Sequence, residues 1–537
     1  MKNLNTLKNL IKTTLSLVLI LTITSCSEDF LDEDPKDFLS PDNTFLDVEG
    51  FEAGLVGLYN NGRTAQISFG GLHEKAWEVL FGQGADIGYF INKKNFITDY
   101  TTLNSSDGTV SQLWIKFYSI VKDANVIITR AENPDVIWDS EQEKNEVLAQ
   151  ARFFRAYGYR FLLSFWGGVP IIREEITAPK LDFVRDPASD VMEFILQDLE
   201  FASQNLPATN TTGAKLTKAA ADYLLAETYN TLQQWDKSIA ACNRILNDGQ
   251  YDLMYNRFGS MSGEPGDVYW DLFRYGNQDR RSGNRENIFA WQFEFDVEGG
   301  LKNPVERAWG PFLEKLKTPD NMQAILKDER LGRPVVFIRI VPWVETGVWD
   351  DFDNDMRNSE YNVQREFYIN NPDSAHYGEL IQPTEGNYVR NMFPYYRKFT
   401  HNDFHPQGYD TSGGIYTDWY VFRVAGVYLL RAEANLGRGD NFNAAADINV
   451  LRTRAHASLV DPGNVDIDYI LDERVRELLG EEHRRVTLNR VGKLVERTIL
   501  HNPISGPTIQ SHNSLFPIPQ SEIDANKEAE LVQNPGY

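Results

Sequence analysis

Residues 217–247, TKAAADYLLAETYNTLQQWDKSIAACNRILN, carry two apolar patterns of helical period on either side of Leu232 to Gln234. The spacing predicts helices over 217–232 and 235–247. Setting Trp235 as the aromatic between them places Leu225, Ala226 and Tyr229 on the first helix and Ser238, Cys242 and Ile245 on the second. The small residues at 226 and 238 allow a close approach, and Leu225, Tyr229 and Ile245 fill the rest of the seam. A pair of this kind cannot bury its apolar face alone and must stack on further pairs.

Moving outward, the pattern is of the tetratricopeptide type and it recurs. A second pair is predicted at Val421–Leu436 and Phe442–His456, with Gly437 and Gly439 between, followed by a last helical stretch over about 468–496. Upstream, Leu113, Phe117, Ile120, Val121, Ala124, Ile127 and Ile128 recur at helical spacing within 110–131. A further helix is expected from about 141 to 165, stopped by Gly167-Gly168-Val169-Pro170, and another over 187–204. Residues 250–420 break the periodicity. They are rich in Gly, Pro, Asn and aromatics, with short strand-like runs such as Ile288–Phe295 and Val335–Val341, and read as a loop-rich insertion on the helical scaffold. Loops on a rigid scaffold are where binding residues concentrate.

The N-terminus reads as an export signal. Lys2, Lys8 and Lys12 precede an apolar run from Leu15 to Ile23, too short to span a bilayer. Ile23-Thr24-Ser25-Cys26 resembles a bacterial lipobox, which makes Cys26 the acylated first residue of the mature chain. Several acyl chains on one residue give stable anchoring where a single chain is marginal. Ser27-Glu28-Asp29 then looks like the acidic tag of surface-exposed lipoproteins, so the expected location is the outer membrane, facing the exterior. With Cys26 acylated, Cys242 has no disulfide partner and is expected to serve as a small buried hydrophobe.

The 537-residue chain carries a net charge of −24, and no Lys/Arg stripe interrupts it. Such a surface repels phosphate backbones and excludes nucleic acid as a partner class. No nucleophile elbow, phosphate loop or dinucleotide fingerprint is present; the expectation is a protein that is not an enzyme and has no cofactor.

Several blocks then point to one family. They are Phe30-Leu31-Asp32-Glu33-Asp34-Pro35; Ala149 to Pro170 (AQARFFRAYGYRFLLSFWGGVP); Leu216 to Tyr229; Arg431-Ala432-Glu433-Ala434; Asn449 to Ala455 (NVLRTRA); and Glu473 to Leu494. Leu515 to Gln520 (LFPIPQ), Glu522 to Asn526 (EIDAN) and Gln533 to Tyr537 (QNPGY) close the chain. In this order they resemble the SusD/RagB family of nutrient-binding outer-membrane lipoproteins. The chain departs from the family pattern at Gly426, where an acidic residue is usual, and at Arg485 and Thr487, where Trp and Asp are usual.

The resemblance implies a mostly α fold of tetratricopeptide-like repeats with a loop-rich mixed α/β subdomain. The expected division is a signal peptide over 1–25, a lipidated tether and domain entry over 26–48, and a SusD-like domain over 49–537. Within that domain, helical repeats cover about 110–249 and 421–496, a ligand-binding insertion about 250–420, and a C-terminal signature 515–537. It also implies a cell-surface glycan-binding protein that delivers its ligand to a SusC-like TonB-dependent barrel transporter. The alternatives are a peptide-binding RagB-like lipoprotein or a repeat scaffold without a ligand.

Sugar recognition would rest on ring faces stacking against pyranose C–H surfaces, flanked by a few convergent polar groups. The candidates are Asp86, Tyr89, Phe90, Trp291, Trp309, Trp343 and Trp349, with Tyr89, Trp309 and Trp343 preferred for their Gly- or Pro-containing surroundings. Asp350, Asp351, Asp353 and Asp355 alternate like the opening of a calcium loop. Met356 stands where that loop needs Gly and Asn362 where it needs Glu, so Asp351, Asp353 and Asp355 form only a weak metal alternative. His401 and His405 have the spacing of a zinc pair, but Pro406 argues against the helix it requires.

Overall fold

The computed structural model describes residues 44–67, 79–90, 98–327, 332–384, 390–400 and 413–537. The export signal, Cys26 and the His401/His405 pair lie outside the described residues. Helices dominate: α1 (Val48–Gln66), α2 (Gly108–Ala131), α3 (Glu141–Trp166), α4 (Ala188–Asn205), α5 (Lys218–Thr231) and α6 (Trp235–Leu246) form the first half of the scaffold. The second half holds α7 (Val424–Gly437), α8 (Asn441–Arg454), α9 (Ile467–Leu478), α10 (Arg484–Arg490) and α11 (Leu494–His501).

Local chemistry sets the ends of these helices. Asp47, Asp107 and Ser140 accept N–H bonds from the first turns of α1, α2 and α3. α3 stops at Gly167, whose φ of 72° is left-handed and whose N–H returns to the Leu163 carbonyl. Between α2 and α3 the Phe117 and Phe161 rings stack at 4.5 Å. Gly158 makes this approach possible, since a Cβ there would lie 3.1 Å from the Phe117 carbonyl oxygen.

The α5/α6 hairpin closes on its two small residues. Ala226 and Ser238 are both fully buried, and Ser238 Oγ donates to the Ala226 carbonyl at 3.0 Å. The Cys242 thiol is buried in the same seam, and desolvation there raises it well above the ordinary thiol range. α6 then packs on α7, which joins the two halves of the scaffold.

The mostly helical reading of the sequence holds; several boundaries shift. The helix expected from Val421 begins at Val424, because β6 (Trp419–Arg423) pairs antiparallel with β2 (Asn287–Trp291). The stretch expected as one helix over 468–496 is three, α9, α10 and α11, broken at Gly480 and Gly492, which take φ of 73° and 70°. Among the described residues the other ladders are two residues long: β1 (Gly88–Tyr89) with β3 (Arg339–Ile340), and β4 (Val363–Gln364) with β5 (Tyr395–Tyr396). The unusual residues noted in the sequence have packing reasons. A side chain at Gly426 would strike the Tyr223 ring, and Arg485, fully buried, donates to Tyr100 Oη and the Asn513 carbonyl.

A buried ionic cluster ties the insertion to the scaffold. Arg423 donates to Glu481 (2.6 Å), Glu477 (2.6 Å) and Glu286 (3.1 Å), and Arg454 bridges Glu286 to Glu477. Arg357 of the insertion pairs with Asp355, Glu473 and Glu477. These groups are essentially unexposed, so each charge needs its partners. Removing one leaves a desolvated charge behind, which is far costlier than losing a surface pair.

Candidate binding site

The ladder between β1 and β3 sets Tyr89 opposite Arg339, and Trp343 follows the ladder by three residues. Trp343 opens a single π-helical turn, Trp343–Gly347, whose i to i+5 bond runs from Val348 N–H to the Trp343 carbonyl at 2.8 Å. Such turns occur frequently at functional sites. A Cβ on Gly347 would lie 2.8 Å from Trp343 Cδ1, so glycine lets the indole lie across the turn. The turn is held from inside. Trp349 Nε1 and Tyr396 Oη both donate to the Val344 carbonyl, and Glu345 pairs with Arg339.

The partly exposed indole of Trp343 stacks on the imidazole of His501, with ring centroids 3.9 Å apart and planes 24° from parallel. Burial, with the neighbouring Arg497 guanidinium, lowers His501 to about 4. The imidazole is therefore neutral at physiological pH, with one ring nitrogen donating and the other accepting. Leu500, at the end of the same helix, is 71% exposed. The pair forms an aromatic ledge with a polar edge beside an apolar surface, the composition expected where a sugar ring is held by face and by hydroxyl.

Beneath the ledge sits Asp86, fully buried. Arg484 grips it through Nε at 2.9 Å and Nη2 at 2.5 Å, and Arg497 Nε adds a third bond at 2.9 Å. Burial alone would raise this carboxyl, but the two guanidinium groups override it and hold it at about 2. Arg497 in turn lies 5.1 Å from the Trp343 ring centroid. Asn502 Nδ2 donates to the Ala85 and Gly88 carbonyls, joining the end of α11 to the Asp86 loop.

Of the seven ligand-binding candidates, Tyr89 and Trp343 are the two that are partly exposed. The other five are buried. Asp86 cannot face a ligand hydroxyl, because its carboxylate is enclosed by Arg484 and Arg497. Trp291 (3% exposed) lies in the core against Phe154 and donates from Nε1 to Gln66. Trp309 (2% exposed) stacks on Phe399 at 4.9 Å. Phe90 packs near Phe337 and Trp349 is turned inward to the Val344 carbonyl, so both rings are buried. Sequence reasoning missed His501 and Arg497. Nothing in LVERTILH (494–501) signals that its final histidine meets a tryptophan some 160 positions away.

Of the aspartates of the weak metal alternative, Asp351 and Asp355 are taken up by contacts within the protein. Asp351 accepts from Ser458 N–H and Oγ, both at 2.6 Å, Asp355 is buried against Arg357, and Asp353 is exposed. Among the described residues, no group of three or more His, Cys, Asp or Glu side chains is placed to share an ion. No helix among them is long and apolar enough to cross a membrane.

Comparison with known proteins covers both ends of the chain. A family model described as the SusD family matches residues 344–537, and one described as starch-binding associating with outer membrane matches residues 29–229. SusD-like protein P25 of Formosa agariphila is 24% identical, with 97% of this chain and 99% of that protein aligned. A laminarin-binding SusD-like protein superposes with a TM-score of 0.69 at 22% identity, covering 91% of this chain and 99% of the other. Surface glycan-binding protein A from Bacteroides thetaiotaomicron, solved with laminarihexaose, gives a TM-score of 0.71 at 19% identity, again covering 91% and 99%.

Proposed function

Because the chain belongs to the SusD/RagB family, we propose that it is a cell-surface glycan-binding protein that captures oligosaccharides without cleaving them and passes them to a TonB-dependent outer-membrane transporter. The observation that carries this reading is the Trp343–His501 ledge, whose π-helical turn is tied down by Trp349, Tyr396 and the Arg339–Glu345 pair. Preorganised rings lose little freedom when a sugar stacks on them, so affinity comes from contact area and not from ordering. The fold likeness to proteins solved as laminarin or laminarihexaose binders supports a glucan as the first ligand to try.

The lipobox-like sequence ending at Cys26 supports a lipid-anchored location on the outer membrane. The test is titration of the purified chain against a glycan panel that includes laminarin, together with peptides. Saturable glycan binding that disappears in Trp343→Ala supports the proposal. Peptide binding with no response to any glycan would overturn it. For the delivery step, co-purification of a barrel transporter with the chain from outer membranes is the expected result.

A further inference from the structure

On the scaffold, the end of α3, the start of α4, the end of α5 and α10 line a solvent-open cavity of about 580 Å³ that shares no residue with the ledge. Leu163, Met192, Ile195, Leu232, Val486 and Leu515 give it apolar walls. Most of its polar lining is already engaged within the protein: Glu227 by Arg160, and the Thr231 hydroxyl on the Glu227 carbonyl. Arg490 uses both terminal nitrogens on Glu433, its side chain is only 7% exposed, and its Nε is buried with no partner among the described residues. Ser164 Oγ is likewise buried without a partner, although a helical serine ordinarily satisfies itself on the carbonyl four residues back. Ala188 and Ser189 of the first turn of α4, which has no side-chain cap, complete the polar side. Ser164 Oγ and Arg490 Nε are the two buried side-chain atoms of the lining without a partner among the described residues, and both can donate to a ligand oxygen. Buried donors left unpaired are rare, and each requires an explanation.

The charges around the cavity cancel. Arg160 is paired through Nε and Nη2 with Glu227, and Arg490 with Glu433, so no unpaired cation faces the interior. An anion would lose its hydration there without gaining a counter-charge. The walls meanwhile favour hydrocarbon, and the volume lies within the range of small-molecule sites. Asn489 fixes the shape by donating to the Ser164 carbonyl at 2.5 Å and the Ser514 carbonyl at 2.9 Å, which joins α10 to α3 and to the C-terminal segment.

We propose that this cavity is a second ligand site, which takes an uncharged molecule with an apolar body and a compact oxygen acceptor that receives hydrogen bonds from Ser164 Oγ and Arg490 Nε. It is independent of the aromatic ledge, and its occupant is a different class of compound from a glycan.

Monooctanoylglycerol below its micellar concentration is a suitable probe, with octanoate as the charged counterpart, each titrated calorimetrically into the full chain. The expected result is saturable one-to-one binding of monooctanoylglycerol and weaker binding of octanoate. Ser164→Ala should weaken the neutral probe by about threefold to tenfold, the range of one lost hydrogen bond. Met192→Trp, which fills the cavity from a partly exposed position, should abolish binding while glycan affinity stays unchanged. Trp343→Ala should leave the neutral probe unaffected. Absence of saturable binding, tighter binding of octanoate, or wild-type affinity in both Ser164→Ala and Met192→Trp would overturn the assignment, whatever the glycan titrations show.

Discussion

The indole of Trp235, at the start of α6, lies directly over Gly437, the last residue of α7, where an added Cβ would come within 2.6 Å of the ring. It is one of the contacts that pass the stacking of the first helical hairpin to the second, beside the Asn230–Leu430 and Arg431–Asn243 hydrogen bonds. Gly437→Val is therefore expected to wedge α6 from α7 and to destabilise the chain by about 1–3 kcal/mol, the usual cost of overpacking. Thermal unfolding monitored by circular dichroism checks it; an unchanged melting temperature would show that the seam relaxes freely.

Two tryptophans separate binding from packing. Trp343→Ala should weaken glycan binding by about 1–3 kcal/mol, the scale of ring stacking on an aromatic, with little effect on stability. Trp309→Ala empties a filled core position against Phe399 and should cost about 3–5 kcal/mol of stability. Binding isotherms and denaturant melts on both variants distinguish the two roles, and a reversed pattern would refute the ledge.

Asp86→Asn is expected to act through the fold and not through ligand contact. It removes the buried counter-charge that Arg484 and Arg497 share, leaving Arg484 with Glu482 and Arg497 with Asp468 and Asp472. Breaking such a buried pair costs about 3–5 kcal/mol. Chemical denaturation measures this. A fully stable Asp86→Asn that lost only ligand affinity would return Asp86 to the binding surface.

The acid limb of stability follows from the buried cluster. Burial alone would raise Glu473, but Arg357, Arg476 and Arg452 hold it at about 2 against an ordinary 4.5, and Arg160 does the same for Glu227. Both carboxyls are depressed in the folded state. The stability they supply is complete above pH 4.5 and is lost as pH falls from there towards 2. Melting temperatures measured down through this window should drop steeply, and Glu473→Gln should flatten the slope.

Cys26→Ala is expected to move the chain from the membrane fraction to the soluble fraction after cell lysis. Retention in membranes would end the anchoring proposal.

The helices were legible because their apolar residues repeat with the period of the structure that buries them. Even so, α1 passed unread, although Asp47 caps it and Phe51, Leu55 and Leu58 share its buried face. The polar, Pro-containing stretch before it carries no sustained apolar periodicity, so the start of the helix has no sequence contrast beyond its capping aspartate. The breaks at Gly480 and Gly492 were readable only as glycines; that both adopt a left-handed φ is decided by tertiary packing. The site was the least legible. Residue type marked the tryptophans as candidates, but every residue of β2 is buried, so Trp291 carries no alternation to report which way it faces. The partner of Trp343 was invisible, since no local signal links residue 343 to residue 501.

The ion pairs that join insertion to scaffold also have a kinetic consequence. Within α2 to α6 the contacts run between neighbours in the chain, whereas Arg357 reaches Glu473 across 116 positions and Arg454 reaches Glu286 across 168. Long loops must close before any of these salt links can form, and the entropy of closure is spent first. The hairpins can therefore assemble early and wait, while docking of the mid-chain excursion sets the pace of folding. Until those loops close, the carboxylates and guanidinium groups of the cluster keep their hydration, so their desolvation belongs to the docking step.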